Sequence, residues 1–301
     1  ALRFAEQPQM LCIVNSRAHA RALFEAIREL PGAAHLTTLM CPRHRSIELA
    51  KLRERLKRKE PVRLVSTSLI EAGVDIDFPE VWRAAAGLDS IAQAAGRCNR
   101  EGRPVLGRTV VFEPAEAEPP KELRAFWQAA RPVLRHHGDP LTLDAVQDYF
   151  RELYWQKSDA AFDTARIDGR PGILPAIAER AQDIRFPFSS IAAAFRMIDD
   201  IMEPVVVPWR MDADDHDAES VLHRIAGMDR PLARDLRQLQ QYTVPIPPRA
   251  RREWLAADVL RPVHLALGDA LLRFDNLDYY DPQTGVRLDP GLRSPEANII
   301  A

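Results

Sequence analysis

Two short segments of this chain carry side chains whose types and spacing suit phosphate chemistry. In Ser66-Thr67-Ser68-Leu69-Ile70-Glu71-Ala72-Gly73-Val74-Asp75-Ile76-Asp77-Phe78-Pro79, hydroxyl residues stand where a strand gives way to a short helix. At such a start, side-chain oxygens and free backbone N–H groups can hold a phosphate oxygen. Gly73 is placed to end the helix, and Asp75 and Asp77 are expected outside the sheet edge where ligands of α/β folds bind. The same residues also suit a capped helix and a tight turn, because Ser and Thr are favoured caps. In the second segment, Gln93-Ala94-Ala95-Gly96-Arg97-Cys98-Asn99-Arg100, a continuous helix would put Gln93, Gly96, Arg97 and Arg100 on one face. A glycine inside that helix costs about 1 kcal/mol relative to alanine, and close approach of a ligand is a reason for it. Two guanidinium groups one turn apart can clasp a phosphate chain and neutralise charge developing during phosphoryl transfer. The plain alternative is an exposed basic helix.

The elements that must position these residues can be read from periodicity. Apolar runs predict strands over 10–14, 35–40, 62–66, 81–86 and 109–112; helical spacing predicts helices from 20, over 46–59 and from 89. Strand and helix in alternation predict an α/β domain over residues 1–115, a parallel sheet with helices on both faces. Residues 113–120 (EPAEAEPP) have the composition of an extended linker. Beyond it, residues 116–239 read as a helical accessory region, with helices over 121–137, 143–154, 176–182, 190–201 and most of 218–239, a short strand at 205–207 and an acidic loop at 212–219. Residues 240–301 read as a small β-containing domain, with strands at 242–246 and 271–274 and a turn at 281–285 joining two more.

Composition bounds the function. With 301 residues the chain is long for one core, and no run of about 18 apolar residues or basic-then-apolar N-terminus marks a membrane span or export signal, so a cytoplasmic protein is expected. Cys12, Cys41 and Cys98 are an odd set without CxxC spacing, which fits neither a disulfide framework nor a zinc ribbon. The net charge of −2 divides unevenly: residues 1–112 have 18 Lys and Arg against 12 Asp and Glu, the remainder 23 against 31. Such a basic first part suits a polyanionic partner, though its charged run from Arg43 to Lys59 also suits a solvated helix face.

TSLIEAGVDIDFP resembles motif V and QAAGRCNR resembles motif VI of superfamily-2 helicases, and Asn15-Ser16-Arg17 after the first strand matches the place of motif IV. The VDIDFP and GRCNREG wording is similar to the CRISPR-associated type I helicase-nuclease. The likeness covers about residues 10–112, the second RecA-like domain; the Gln241-Tyr242-Thr243-Val244 stretch and the spacing of Asn276, Tyr280 and Gly285 resemble that family's C-terminal domain more weakly. Many relatives carry arginine where this chain has Ala94. The five lysines, Lys51, Lys57, Lys59, Lys121 and Lys157, include none that completes a GxxxxGK[ST] phosphate loop, there is no DExH-type box, and the first residue is not methionine. The resemblance is therefore to the C-terminal portion of that enzyme. His216-Asp217 and His136-His137 lack companion ligands and are expected to hold no metal.

The resemblance implies the motor half of an ATP-dependent single-stranded DNA translocase acting against invading DNA. ATP with Mg²⁺ would sit between the first RecA-like domain and this one. Arg97 and Arg100 would reach the γ-phosphate, and Gln93, Gly96, Gly73 and Asp75 would position nucleotide or guanidinium. Asn15, Ser16, Arg17, Ser66 and Thr67 would hold DNA phosphates. The magnesium ligands, the first RecA-like domain and the nuclease domain lie in the rest of the enzyme, which an RNA-guided type I surveillance complex recruits. The alternative is a separately made, non-catalytic adaptor or regulator that binds DNA or that complex.

Overall fold

The structure is a computed structural model and describes residues 1–100, 102, 106–115, 119–155, 163–181, 183–195, 202–210 and 218–288. The expected His216-Asp217 loop, Lys157, and parts of the linker and of two expected helices lie outside the described residues. The described residues form two compact units, one drawn from Ala1–Arg124 and Ile201–Ile300, the other from Ala125–Asp200.

In the first unit, β1 (Gln9–Ile13), β2 (Ala33–Leu36), β3 (Val62–Ser66), β4 (Glu80–Ala84) and β5 (Arg108–Phe112) form a parallel sheet in the order β2-β3-β1-β4-β5. Helices α1 (Leu2–Glu6), α2 (Arg17–Ile27), α3 (Pro42–Lys57) and α4 (Leu88–Ala95) cover its faces, as the alternation predicted. The strands are apolar on both sides because both sides are covered. Met10, Cys12 and Val14 pack with Phe4, Ala20, Phe24 and Ile27, while Leu11 and Ile13 pack with Leu52, Leu64, Ile70, Ile76 and Ala94. The expected strand over 35–40 stops at Leu36, because the Thr37 hydroxyl accepts from the Leu39 N–H (3.3 Å) and its carbonyl from Met40, drawing the chain into a turn. After β1 the chain crosses to one side of the sheet and after β3 to the other, so the loops following the neighbours β1 and β4 diverge.

The second unit is mainly helical, and residues 202–210 and 218–239, read from the sequence as part of the helical region, belong to the first unit. Helices α5 (Lys121–His136) and α6 (Leu143–Trp155) bury Ala129, Ala130, Val133, Ala145, Tyr149 and Leu153, and His137 pairs with Asp148 at 2.9 Å. A hairpin, β6 (Arg166–Ile167) and β7 (Arg170–Pro171), precedes α7 (Ile173–Ala181) and α8 (Phe188–Ala194).

The rest of the first unit holds β8 (Glu203–Val206), α9 (Ala218–Ala226), α10 (Ala233–Leu239), β9 (Thr243–Ile246), α11 (Pro248–Ala256), β10 (Leu260–Pro262) and β11 (Leu272–Phe274). The strands make a mixed sheet, β10-β11-β8-β9, followed by a hairpin of β12 (Tyr280–Asp281) and β13 (Gly285–Val286). Helix α11 escapes sequence reading because it buries only Ala250 and Trp254, too thin a period to stand out. This module shares its core with Leu39 and Cys41. The Tyr280 hydroxyl accepts from the Cys41 N–H at 3.1 Å and lies 2.8 Å from His44 Nδ1, and the His44 ring stacks on Trp209 at 4.8 Å. Gly285 has φ +78°, where a β-carbon would collide with the Leu39 carbonyl. Among the described residues no helix is long and apolar enough to cross a membrane.

Burial depresses two imidazoles, His35 to about 3 and His44 to about 4. Both are neutral in the fold, while the unfolded chain takes up protons below its ordinary value of 6.5. Stability from this source is complete above that value and is lost as pH falls toward 4 and 3, by about 2 kcal/mol per histidine at pH 5. Urea midpoints measured at pH 7 and pH 5 should show the loss. His35→Leu, which replaces a ring that has no hydrogen-bond partner among the described residues, should remove about half of it. Equal acid sensitivity in the variant would contradict the assignment.

Candidate functional site

The segment from Ser66 to Pro79 runs the length of the sheet rather than clustering at one edge. It leaves the carboxyl end of β3 with Ser66 and Thr67 fully buried, and the Ser66 hydroxyl donates to the Leu36 carbonyl at 2.7 Å. A 3-10 turn, Ser68–Ile70, follows, and Gly73 is left-handed at φ +69°. Ile76 and Phe78 are apolar and sink into the core, which pulls the chain along the sheet face to the amino end of β4. Asp75 and Asp77 therefore lie near the edge opposite Ser66, not outside the carboxyl edge where the sequence reading put them.

The second segment also departs from expectation. Helix α4 stops at Ala95 with Gly96 as its cap, so Gln93, Gly96, Arg97 and Arg100 do not share a helical face. The backbone is captured by the first segment: Phe78 N–H donates to Arg97 O (2.9 Å) and Asn99 N–H to Phe78 O (3.0 Å), with Asn99 left-handed at φ +53°. The Arg97 side chain turns inward, only 9% exposed, and donates to the carbonyls of Ile70 (3.1 Å) and Glu71 (2.5 Å). Burial, with Arg100 nearby, holds its guanidinium below the ordinary arginine value.

Arg100 is held differently. Its backbone N–H donates to the buried Asp77 carboxylate at 2.8 Å, while its guanidinium stays half exposed against Asp75 (3.2 Å) and the Val74 carbonyl (3.4 Å). Arg53 of α3 donates to the Asp75 carbonyl at 2.7 Å. An open groove of about 450 Å³ lies here, lined by Arg53, Leu56, Lys57, Asp75, Ile76, Asp77 and Arg100. Arg53 and Lys57 passed unnoticed in the sequence because they sit in a run of like charges. Gln93 is exposed on α4, whereas Ala94 is fully buried in the core, so a long side chain there would displace packing.

At the carboxyl edge, the Asn15 amide donates to the Ala85 carbonyl (2.7 Å) and accepts from Arg83 (2.5 Å), joining the two diverging loops. Ser16 caps α2, accepting from the His19 N–H. Arg17 is not presented to solvent; it is 4% exposed, bonds the Pro245 carbonyl at 3.2 Å, and is drawn down to about 10 by burial. Beneath these, the Arg83 guanidinium pairs with Glu71 at 2.6 Å, their side chains 1% and 4% exposed, and Ser90 of α4 also bonds Glu71. Burial pushes Glu71 up and Arg83 down, and their attraction opposes both. Neither residue was singled out in the sequence; the available signal was a lone charge inside the apolar run VWRAAA. Among the described residues no three His, Cys, Asp or Glu converge on a metal position.

Residues 6–103 match the protein family described as CRISPR-associated nuclease/helicase Cas3, C-terminal. A CRISPR-associated nuclease/helicase Cas3 of Haloferax volcanii is 46% identical over 76 residues, 22% of this chain and 8% of that protein. Among solved structures, T. fusca Cas3-ADP has a TM-score of 0.58 at 18% identity, covering 95% of this chain and 40% of that one. T. fusca Cas3-ATP gives 0.59 at 16% identity, with 95% and 39% covered. A chain of a CRISPR RNA-guided surveillance complex, pre-nicking, gives 0.52 at 17% identity, with 95% and 41% covered. Identities this low show the fold alone, and this chain spans about two fifths of the solved chains it matches. The fold class read from the sequence, α/β with a parallel sheet covered by helices and a small β-containing part beyond it, matches these structures, and the β-containing part is here a mixed sheet.

The two arginines should separate in a stability measurement. Arg97→Met leaves two carbonyls without their buried donor and should cost about 2–3 kcal/mol in urea unfolding. Arg100→Ala removes a half-exposed side chain and should cost less than about 0.5 kcal/mol. Equal losses would contradict this division into a structural and an available guanidinium.

Proposed function

From a chain whose residues 6–103 match the Cas3 C-terminal family, we propose that the first unit supplies the nucleotide-closing half of an ATP-dependent single-stranded DNA translocase, part of a helicase-nuclease that acts against invading DNA. The observation that carries this reading is Arg100: its backbone is anchored on buried Asp77 while its guanidinium remains half exposed beside a groove. An arginine so mounted can meet charge developing on a transferring phosphoryl group, which is how an arginine finger acts. The residues suit a nucleotide's phosphates in two respects. Arg53, Lys57 and Arg100 bring three cations to one groove, and the contact that now engages Arg100 is an exposed carboxylate, exchangeable at little cost.

ATP hydrolysis would supply the free energy for movement. In this reading Arg100 reaches the phosphate, Asp75 orients the Arg100 guanidinium until then, and Gln93, Gly73 and Gly96 are assigned to nucleotide by the resemblance, outside the groove's own lining. Arg97 holds the turn on which Arg100 stands and serves the finger without touching nucleotide. Single-stranded DNA phosphates meet the carboxyl edge, where Ser16 and Thr67 mark two helix starts; Asn15, Arg17 and Ser66, bonded internally, shape that edge. No magnesium ligand is assigned to this chain. Partners in this reading are the first RecA-like and nuclease domains of the parent enzyme and an RNA-guided surveillance complex, in the cytoplasm. Solved relatives include one named for such a complex and others named with ADP and ATP.

In the complete enzyme, Arg100→Ala should lower ATP turnover by about 10³-fold or more with nucleotide affinity much less affected, the mark of a contact made in the transition state. Near-normal turnover would remove Arg100 from the role. This chain by itself should hydrolyse no ATP above background; phosphate release stimulated by single-stranded DNA would contradict the reading. Its DNA affinity should be independent of sequence and fall steeply between about 50 and 200 mM salt, as backbone contacts require.

A further inference from the structure

The buried charges beneath the site connect its two ends. Arg83 touches Asn15 at the carboxyl edge and Glu71 in the middle of the 66–79 segment. The Glu71 backbone carbonyl accepts from Arg97, whose own carbonyl is bonded by Phe78 and which stands three residues before Arg100. The side chain of Glu71 also takes Ser90 of α4. One continuous polar path thus runs Asn15, Arg83, Glu71, Arg97, and from there through the turn to Arg100, while the surrounding packing is apolar. Stability does not explain it. A buried ion pair is often matched or bettered by apolar residues of similar volume, because desolvation consumes the attraction. What the contacts of Arg83 with the Asn15 amide oxygen, the Ala84 carbonyl and the Glu71 carboxylate do give is a fixed relative placement of those oxygens.

We propose that Arg83, with Glu71, is a positioning pair that couples the DNA-binding edge to the finger, so that DNA seated near Ser16 sets the orientation of Arg100. Arg83 touches neither ligand. It transmits through Asn15 on one side and through Glu71 and Arg97 on the other. The inference rests on the translocase reading above, because it presupposes DNA at one end and nucleotide at the other.

The test uses the complete enzyme and compares basal with DNA-stimulated ATP hydrolysis, using a single-stranded oligonucleotide. The apolar replacement Arg83→Met/Glu71→Leu keeps volume and removes both charges together. It should fold, retain basal turnover and DNA affinity, and lose about fivefold or more of the DNA stimulation. A folded double variant with undiminished stimulation would overturn the proposal, since a merely structural pair would not move that ratio selectively. Should the double variant fail to fold, Glu71→Gln retains shape and a hydrogen-bonding side chain. It should lower the stimulation in the same sense, and an unchanged ratio there would equally overturn the proposal. If the parent enzyme itself shows no DNA-stimulated hydrolysis, the translocase reading fails instead, and the two failures are told apart by that first measurement.

Discussion

Glu71 is gripped twice, and the site's geometry follows from that. Its carboxylate meets the Arg83 guanidinium and its carbonyl meets Arg97, both arginines being buried. An arginine removed from water must find oxygen for its N–H groups or bear a cost of several kcal/mol. The segment after β3 is thereby held where those oxygens are required. With Ile76 and Phe78 fixed in the core beyond it, the chain has little freedom to carry Asp75 and Asp77 elsewhere. The turn at 97–100 is then bonded onto this segment by Phe78, Asn99 and Asp77. One arginine is consumed as scaffold, and the other is left with an available guanidinium.

Sequence periodicity made most of the architecture legible because it reports burial directly. Residues 62–66 are a central parallel strand covered on both faces, and the run predicted there coincides with β3. Where polar bonding competes with burial, pattern reading loses its footing. Thr37 ends β2 early through its own hydroxyl, and α4 stops four residues before Asn99 because the Phe78 backbone takes over its hydrogen bonding. Sequence spacing likewise singled out Arg97 and Arg100 without showing that their surroundings differ. A helical wheel puts both on one face, whereas a turn sends one inward and one out. The pairing of Arg83 with Glu71 was illegible for a related reason: the two stand 12 residues apart along the chain, and the lone charge in VWRAAA does not say what answers it.

The C-terminal module shows how distant residues can share one core. Tyr280, His44 and Cys41 meet around a single hydroxyl, and the Gly285 hairpin lies against the Leu39 carbonyl. Helix α3 starts at this junction with Cys41 as its cap and carries Arg53 and Lys57, about three and four turns on, to the groove beside Arg100. The basic run read as either a polyanion surface or a solvated face is partly engaged within the fold. Lys51 and Lys57 pair with Glu48 and Glu54 one turn earlier, while Arg53 bonds the Asp75 carbonyl. A parallel sheet supplies the platform, and the second sheet braces the helix whose far end reaches the groove.

The central claim, that the 66–79 and 96–100 segments form one bonded body with Arg100 mounted on it, is tested most directly by amide hydrogen exchange of this chain. The Arg100 N–H sits on an exposed turn, where free amides exchange quickly, yet it donates to a buried carboxylate. The account predicts that it exchanges as slowly as the amides of Phe78 and Asn99, opening with them as one cooperative unit. Rapid exchange at Arg100 while Phe78 and Asn99 stay protected would contradict it, for Arg100 would then stand on a turn that moves independently of the 66–79 segment.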